Sequence, residues 1–201
     1  VSAPSQTPQE SIESFLIARE KWILRALERV TDRTDAYPDL PVLAQRDSVP
    51  YLGSSLRVQY AACNSRKGRW SLDEPAGLLR VELPDPTSDS WRIGALQSFE
   101  KQRTQELVQE YLRQYLPLFA ERGVAAPAVR FRIMQSRWGS CSGRTHSLSF
   151  NARLCERPHA FIEYVVVHEL CHFLHGNHSA DFWREVERYL PDWQSRRKLG
   201  D

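Results

Sequence analysis

The sequence predicts an α+β fold, and three observations carry that reading. Apolar residues recur at helical spacing over about 90–122. Short segments near 56–60, 79–83, 129–133 and 148–150 alternate apolar with polar residues, the period of a half-buried strand. A further segment, Phe161 to Leu174, is apolar nearly all round, as a helix buried on every side must be. An antiparallel sheet packed on a long backing helix and on this buried helix satisfies all three, with a small β-hairpin region upstream. The 201 residues suit one domain, 1–201, with a helix and hairpin region over 1–89 and the core over 90–195.

Taken in order, residues 1–9 are polar and contain two prolines, an extended lead-in. Ser11 or Thr7 is placed to cap a helix in which Ile12, Phe15, Leu16, Trp22, Ile23 and Leu27 form an apolar stripe to about Val30. Pro38, Pro41, Pro50 and Gly53 mark 31–53 as loop. Strands follow at Leu56–Tyr60 and Leu79–Leu83, separated by a basic turn over Asn64–Arg69. The helix over 90–122 carries Pro117 near its last turn and ends at Gly123. Its Lys101, Arg103, Glu106 and Glu110 read as a solvated face. Val129, Phe131 and Ile133 begin a strand expected to run through Trp138. Gly139–Thr145 is a turn-rich connection, and Leu148 and Phe150 lie on the return strand. Pro158 suits the first turn of the buried helix, and Ser179 can cap a last helix with Phe182, Trp183, Val186 and Leu190 inward. Residues 195–201 read as a frayed basic tail.

The chemistry lies in the buried helix, at His168-Glu169-Leu170-Cys171-His172. Residues four apart share a helix face, so His168 and His172 can reach one metal ion. Glu169 lies beside them and can take a proton from zinc-bound water without being a ligand. Tetrahedral zinc needs a third protein ligand, and His178 is the expected one, with Gly176 turning the chain back in a left-handed conformation. His175 competes but falls on another side of the helix. Four of the six histidines lie between His168 and His178, and polar groups on a buried helix need partners. Asp181 serves equally well as a surface cap or as a partner to a ligand histidine.

Arg137-Trp138-Gly139-Ser140-Cys141-Ser142, Phe150-Asn151, Tyr164 to His172 and Asn177-His178-Ser179 with Phe182-Trp183 together resemble the YgjP-like metallopeptidases, relatives of the SprT-like and WLM zincins. The resemblance is dense from Arg137 to Trp183 and looser upstream through Trp22. It implies a zincin-like catalytic lobe and a zinc-dependent peptidase, with His168, His172 and His178 as ligands of one zinc per chain and Glu169 as catalyst. It also favours a substrate-binding role for Ser136, Arg137, Trp138, Gly139 and Ser140, where an extended peptide adds to a sheet edge. Arg137 or a tyrosine is a candidate oxyanion donor. Related proteins carry strands ahead of the first helix, and with Val1 in place of Met this suggests a trimmed start.

Partners follow from the same readings. The substrate is a protein or peptide, and nucleic acid enters only by analogy with SprT-like proteins. A net charge of +2 is not the footprint of a dedicated nucleic-acid binder. No apolar run reaches membrane-spanning length, and Val1–Ser5 lacks the charged and apolar start of a signal peptide. Cys63, Cys141, Cys155 and Cys171 lack paired spacing, as reduced thiols of a cytoplasmic protein do, and Cys141 has no base to make it a nucleophile. The alternative is a non-catalytic zinc module binding protein or nucleic acid, which would need a fourth ligand that the sequence does not supply near His178.

Overall fold

The computed structural model describes residues 8–20 and 46–200. The chain divides into two compact units, Val1–Pro38 and Asp39–Asp201. The first contributes α1 (Gln9–Ala18), in which Ser11 lies inside the helix rather than capping it, and Phe15 and Ile17 are exposed. The remainder of the expected first helix, with Trp22, Ile23 and Leu27, lies outside the described residues.

Among its described residues the second unit carries two sheets and four α-helices, a mixed α+β architecture. Its first sheet comprises β1 (Ser48–Tyr51), β2 (Ser54–Ala62), β3 (Arg69–Asp73) and β4 (Leu78–Leu83), in the order β1-β2-β4-β3. The sheet is mixed and not antiparallel as the sequence suggested, because β2 and β4 run parallel while β1–β2 and β3–β4 are hairpins. β1 occupies part of what reads as loop. Pro50 hides it, yet β1 is an edge strand, where a residue without N–H is tolerated. Leu52 and Gly53 both have positive φ, 49° and 78°, as a two-residue hairpin turn demands.

The expected long helix is α2 (Asp89–Ala120), closed by Gly123 at φ 83°. Its first half packs on the first sheet, where Phe99 meets Trp70 edge-on with centroids 5.1 Å apart. Arg103 is not simply solvated: its guanidinium donates to Tyr51 Oη and pairs with Glu74 at 2.8 Å and with Glu106.

The second sheet holds β5 (Ala128–Arg132), β6 (Gly139–Ser142) and β7 (Ser147–Asn151), in the order β5-β7-β6. This corrects two expectations. The strand beginning at Val129 stops at Arg132, and part of the expected turn is itself β6. β5 pairs parallel with β7, and β6 pairs antiparallel on its other side. Asn151 explains the break after β5. Its Nδ2 donates to the carbonyls of Met134 and Arg137, at 2.8 and 3.0 Å, so 133–138 crosses the strand ends instead of extending one.

A short 3-10 helix (Leu154–Glu156) leads into α3 (His159–Cys171), whose N-cap is Pro158. The hairpin tip of the first sheet clamps this lead-in. Leu52 N–H donates to Cys155 O and Gly53 N–H to Glu156 O, at 2.8 and 3.0 Å. Thr104 Oγ1 donates to Ala152 O and accepts from Cys155 N–H. A Cβ at Gly53 would lie 2.6 Å from Pro158 Cγ, so this glycine is required both by φ and by space. Then come α4 (Ala180–Tyr189), with Ser179 Oγ accepting from Phe182 N–H, and α5 (Trp193–Lys198). The C-terminal residues are not frayed. Arg196 pairs with Glu163 of α3, and a Cβ at Gly200 would overlap the ring of Phe161.

Beside the clamp, Glu100 and Glu156 share Arg153 in a buried cluster. Arg153 lies 2.6 Å from Glu156 and 3.7 Å from Glu100. Burial, and then the neighbouring Glu156 charge, push the Glu100 carboxyl up to about 7. Folded protein therefore holds this proton more tightly than unfolded chain, and the stability it contributes is lost as pH rises from about 4.5 through about 7. Glu100→Gln keeps the shape and removes the titration. Between pH 5 and pH 8 its unfolding free energy should fall less than that of the wild type, by on the order of 2 kcal/mol. Denaturant unfolding at both pH values reads this, and parallel pH responses of the two proteins would refute it.

Candidate metal centre

The helix α3 is buried on nearly all sides: Val166, Val167, Leu170 and Cys171 are fully inaccessible. That burial fixes its rotation, and the fixed rotation sends His168, Glu169 and His172 into one cavity of about 540 Å³. The helix ends at His172, where the chain turns through bonds from Leu174 N–H and His175 N–H to Cys171 O. Gly176 is not left-handed, contrary to the sequence expectation; these consecutive tight turns bring the chain round instead. His178 follows, and α4 sets it in place.

The histidines His168, His172 and His178 each offer a ring nitrogen within 4.8 Å of the other two. Nε2 of His168 and Nε2 of His178 are 3.0 Å apart. Tetrahedral zinc with bonds near 2.05 Å holds its ligand nitrogens about 3.3 Å apart, so the set fits such an ion. The far nitrogens are also held. His172 Nδ1 lies 3.2 Å from His175 O, and His168 Nδ1 lies 3.3 Å from Tyr164 Oη. With protons on those Nδ1 atoms, the Nε2 lone pairs face the point of convergence. His175 thus contributes a carbonyl and its ring lies apart from the triad.

Aromatic rings brace the triad from behind. Phe182 lies 4.6–4.9 Å from the three imidazole centroids. Trp183 stacks on His178 at 5.5 Å, and Trp193 stacks on Trp183 at 4.2 Å. Asp181 is turned away to Arg184.

Electrostatics favour uncharged ligands. Burial, then the neighbouring His172 and His178, push the His168 imidazolium down to about 3. Burial also lowers His172 and His178. Glu169 moves the other way, to about 8, because its carboxylate is buried; Arg137 and the Cys141 backbone N–H oppose that rise.

Across the cavity lies β6. Arg137, Gly139, Ser140 and Cys141 line the cavity, whereas Ser136 and Trp138 do not. Trp138 packs edge-on against Phe161 and lies under the Arg157 guanidinium at 4.7 Å, which makes it a structural anchor. Its carbonyl accepts from Asn151 N–H at 2.9 Å. From that bond the antiparallel alternation points the backbone groups of Ser140 and Ser142 toward β7, and those of Gly139 and Cys141 toward the open edge. Burial of Cys141 pushes its thiol up to about 12, away from nucleophilic character. All four cysteines are free thiols.

Two contributors were not read from the sequence. Asn151 fixes the segment facing the cavity, and its signal was a polar residue ending a buried strand. Tyr164 holds His168, and its signal was an i, i+4 pair one turn before the first histidine.

A helix-borne pair of imidazoles, a third from the following turn and a buried carboxylate beside them make a candidate metal centre. The chain belongs to the YgjP-like metallopeptidase domain family, which it matches over residues 1–199. No curated protein matches it significantly. Among solved structures it is similar to the metallopeptidase zymogen of Pyrococcus abyssi abylysin, at 21% identity and a TM-score of 0.37, over 48% of this chain and 87% of that one. It is also similar to the zymogen of Methanocaldococcus jannaschii jannalysin, at 21% identity and a TM-score of 0.37, over 46% of this chain and 88% of that one. Among the described residues, no helix is long and apolar enough to cross a membrane.

Proposed function

We propose that the chain is a zinc-dependent peptidase of the zincin type, with one zinc held by His168, His172 and His178 and with Glu169 as general base. The observation that carries this reading is the convergence of three neutral imidazoles beside a buried carboxylate, in a cavity walled by an open strand edge. Zinc bound there would act as a Lewis acid, making water acidic and polarising a carbonyl.

The protein's own residues do the rest. His175 O and Tyr164 Oη accept the Nδ1 protons of His172 and His168 and so fix which nitrogens face the ion. Glu169 sits in the same cavity, accepts the proton of the attacking water and passes it to the leaving amine. Its raised proton affinity suits both halves of that transfer. Gly139 offers backbone N–H and C=O on the open edge, to which an extended substrate adds as a strand. Arg137, the cation of the cavity wall, is placed to stabilise negative charge developing on the substrate. The substrate is therefore an extended stretch of protein or peptide. The single-domain organisation and a cytoplasmic setting belong to this same reading.

Metal content separates the ligand assignments. His178→Ala should lower zinc affinity by more than about a hundredfold, since loss of an outer partner of a ligand alone costs roughly 10–100-fold, while His175→Ala should change it far less. Zinc titration against a competing chelator measures both, and the reverse order would exchange their roles.

The carboxylate is tested by Glu169→Gln. Zinc binding should persist, because the three imidazoles are untouched. Hydrolysis of an unfolded protein should drop by roughly a hundredfold or more. Equal cleavage by both proteins at equal zinc occupancy would remove Glu169 from the reaction.

A further inference from the structure

Three glycines line the cavity, and they are not alike. A Cβ built on Gly143 or on Gly176 meets nothing within 4 Å. On Gly139 it would lie 2.7 Å from both Cγ and Oε1 of Glu169 and 3.0 Å from Cδ. Such separations are well inside van der Waals contact, so one side chain would have to move. The backbone of Gly139 does not itself call for glycine, since its φ is not positive. What the residue supplies is room.

The obstacle has little freedom to give way. Glu169 is 6% exposed, and the helix that carries it is packed on every other side. Two residues along β6, the Cys141 backbone N–H on the same open edge lies close enough to the Glu169 carboxylate to favour its ionised form. The carboxylate therefore lies across the β6 backbone where the strand lacks a side chain.

We propose that Gly139 is the positioning residue for Glu169: the missing side chain on β6 is the seat of the carboxylate. This rests on the reading of Glu169 as general base. The same residue turns its own N–H and C=O to the open edge. One glycine thus registers the base, through the side chain it lacks, and the incoming substrate strand, through its backbone. The scissile bond is indexed to Glu169 by a single residue of β6.

The test is Gly139→Ala, compared with wild type at equal zinc occupancy. The substitution adds one methyl group at an ordinary φ, and the triad is untouched. We expect zinc affinity unchanged and kcat on an unfolded protein substrate reduced roughly tenfold or more, with KM little changed, the pattern of a displaced catalytic group. Wild-type kcat would overturn the proposal.

A double-mutant cycle in thermal stability reads the contact without any activity. Gly139→Ala should destabilise the wild type and cost little in the Glu169→Ala background, where the seat is vacant. Should the single variant fail to fold, the double variant should fold. Equal destabilisation in both backgrounds would refute the seat. If the Glu169→Gln protein proves fully active while the stability coupling persists, the base assignment fails and the seat stands, so the two failures are distinguishable.

Discussion

Burial of α3 on every side but one is the constraint on which the rest of the structure depends. A helix whose Phe161, Ile162, Val165, Val166, Val167 and Leu170 are all 5% exposed or less cannot rotate about its axis without opening a cavity in the core. α2 covers one flank, the second sheet another, and α4 with α5 a third. The remaining gap is where His168, Glu169 and His172 emerge. The convergence of these side chains thus follows from close packing of residues that never touch the site.

The entry to α3 is as tightly determined as its sides. The 3-10 turn before it gives backbone carbonyls to the β1–β2 hairpin tip and a backbone N–H to Thr104 of α2. Those bonds join the first sheet to α3 through a part of the chain that lies outside the cavity. The first sheet then has a clear mechanical task. It fixes where α3 begins, and with a helix of 13 residues a fixed start fixes where His168 lies.

The sequence made the helices legible and the sheets only in part. α2 and α3 announce themselves because helical periodicity is local, and the histidine spacing is a property of one helix. Strand pairing is not local. Alternation at Val58, Val81, Val129 and Leu148 locates strands without saying which neighbours they take, and both sheets prove mixed where hairpins were the simplest guess. β1 was concealed by Pro50, whose penalty disappears at a sheet edge. β6 was concealed by small residues, Gly139-Ser140-Cys141-Ser142, which carry the composition of a turn. His178 was legible as the remaining histidine at a plausible distance, but the conformation of Gly176 was not, since several tight turns reverse a chain equally well. The seat of Glu169 at Gly139 joins residues thirty apart and has no local signature at all.

In the proposed centre, the charge balance of the cavity would give a bound metal a structural role as well as a catalytic one. Burial disfavours the imidazolium form of His168 and, separately, the carboxylate form of Glu169. Neutral side chains suit this buried cavity, with the three imidazole nitrogens facing one point and Nε2 of His168 and of His178 at 3.0 Å from each other. A divalent cation at that point would offset both preferences together. Bound there, it would be held by His168, His172 and His178, would keep those imidazoles unprotonated and would favour the ionised form of Glu169 nearby. Phe182 and Trp183 pack on the imidazoles and Trp193 stacks behind Trp183, so ring packing holds this corner as well. If the triad holds a metal as proposed, stability of the α3–α4 corner and metal affinity would be linked quantities, and a substitution that loosens His178 on Trp183 should weaken metal binding.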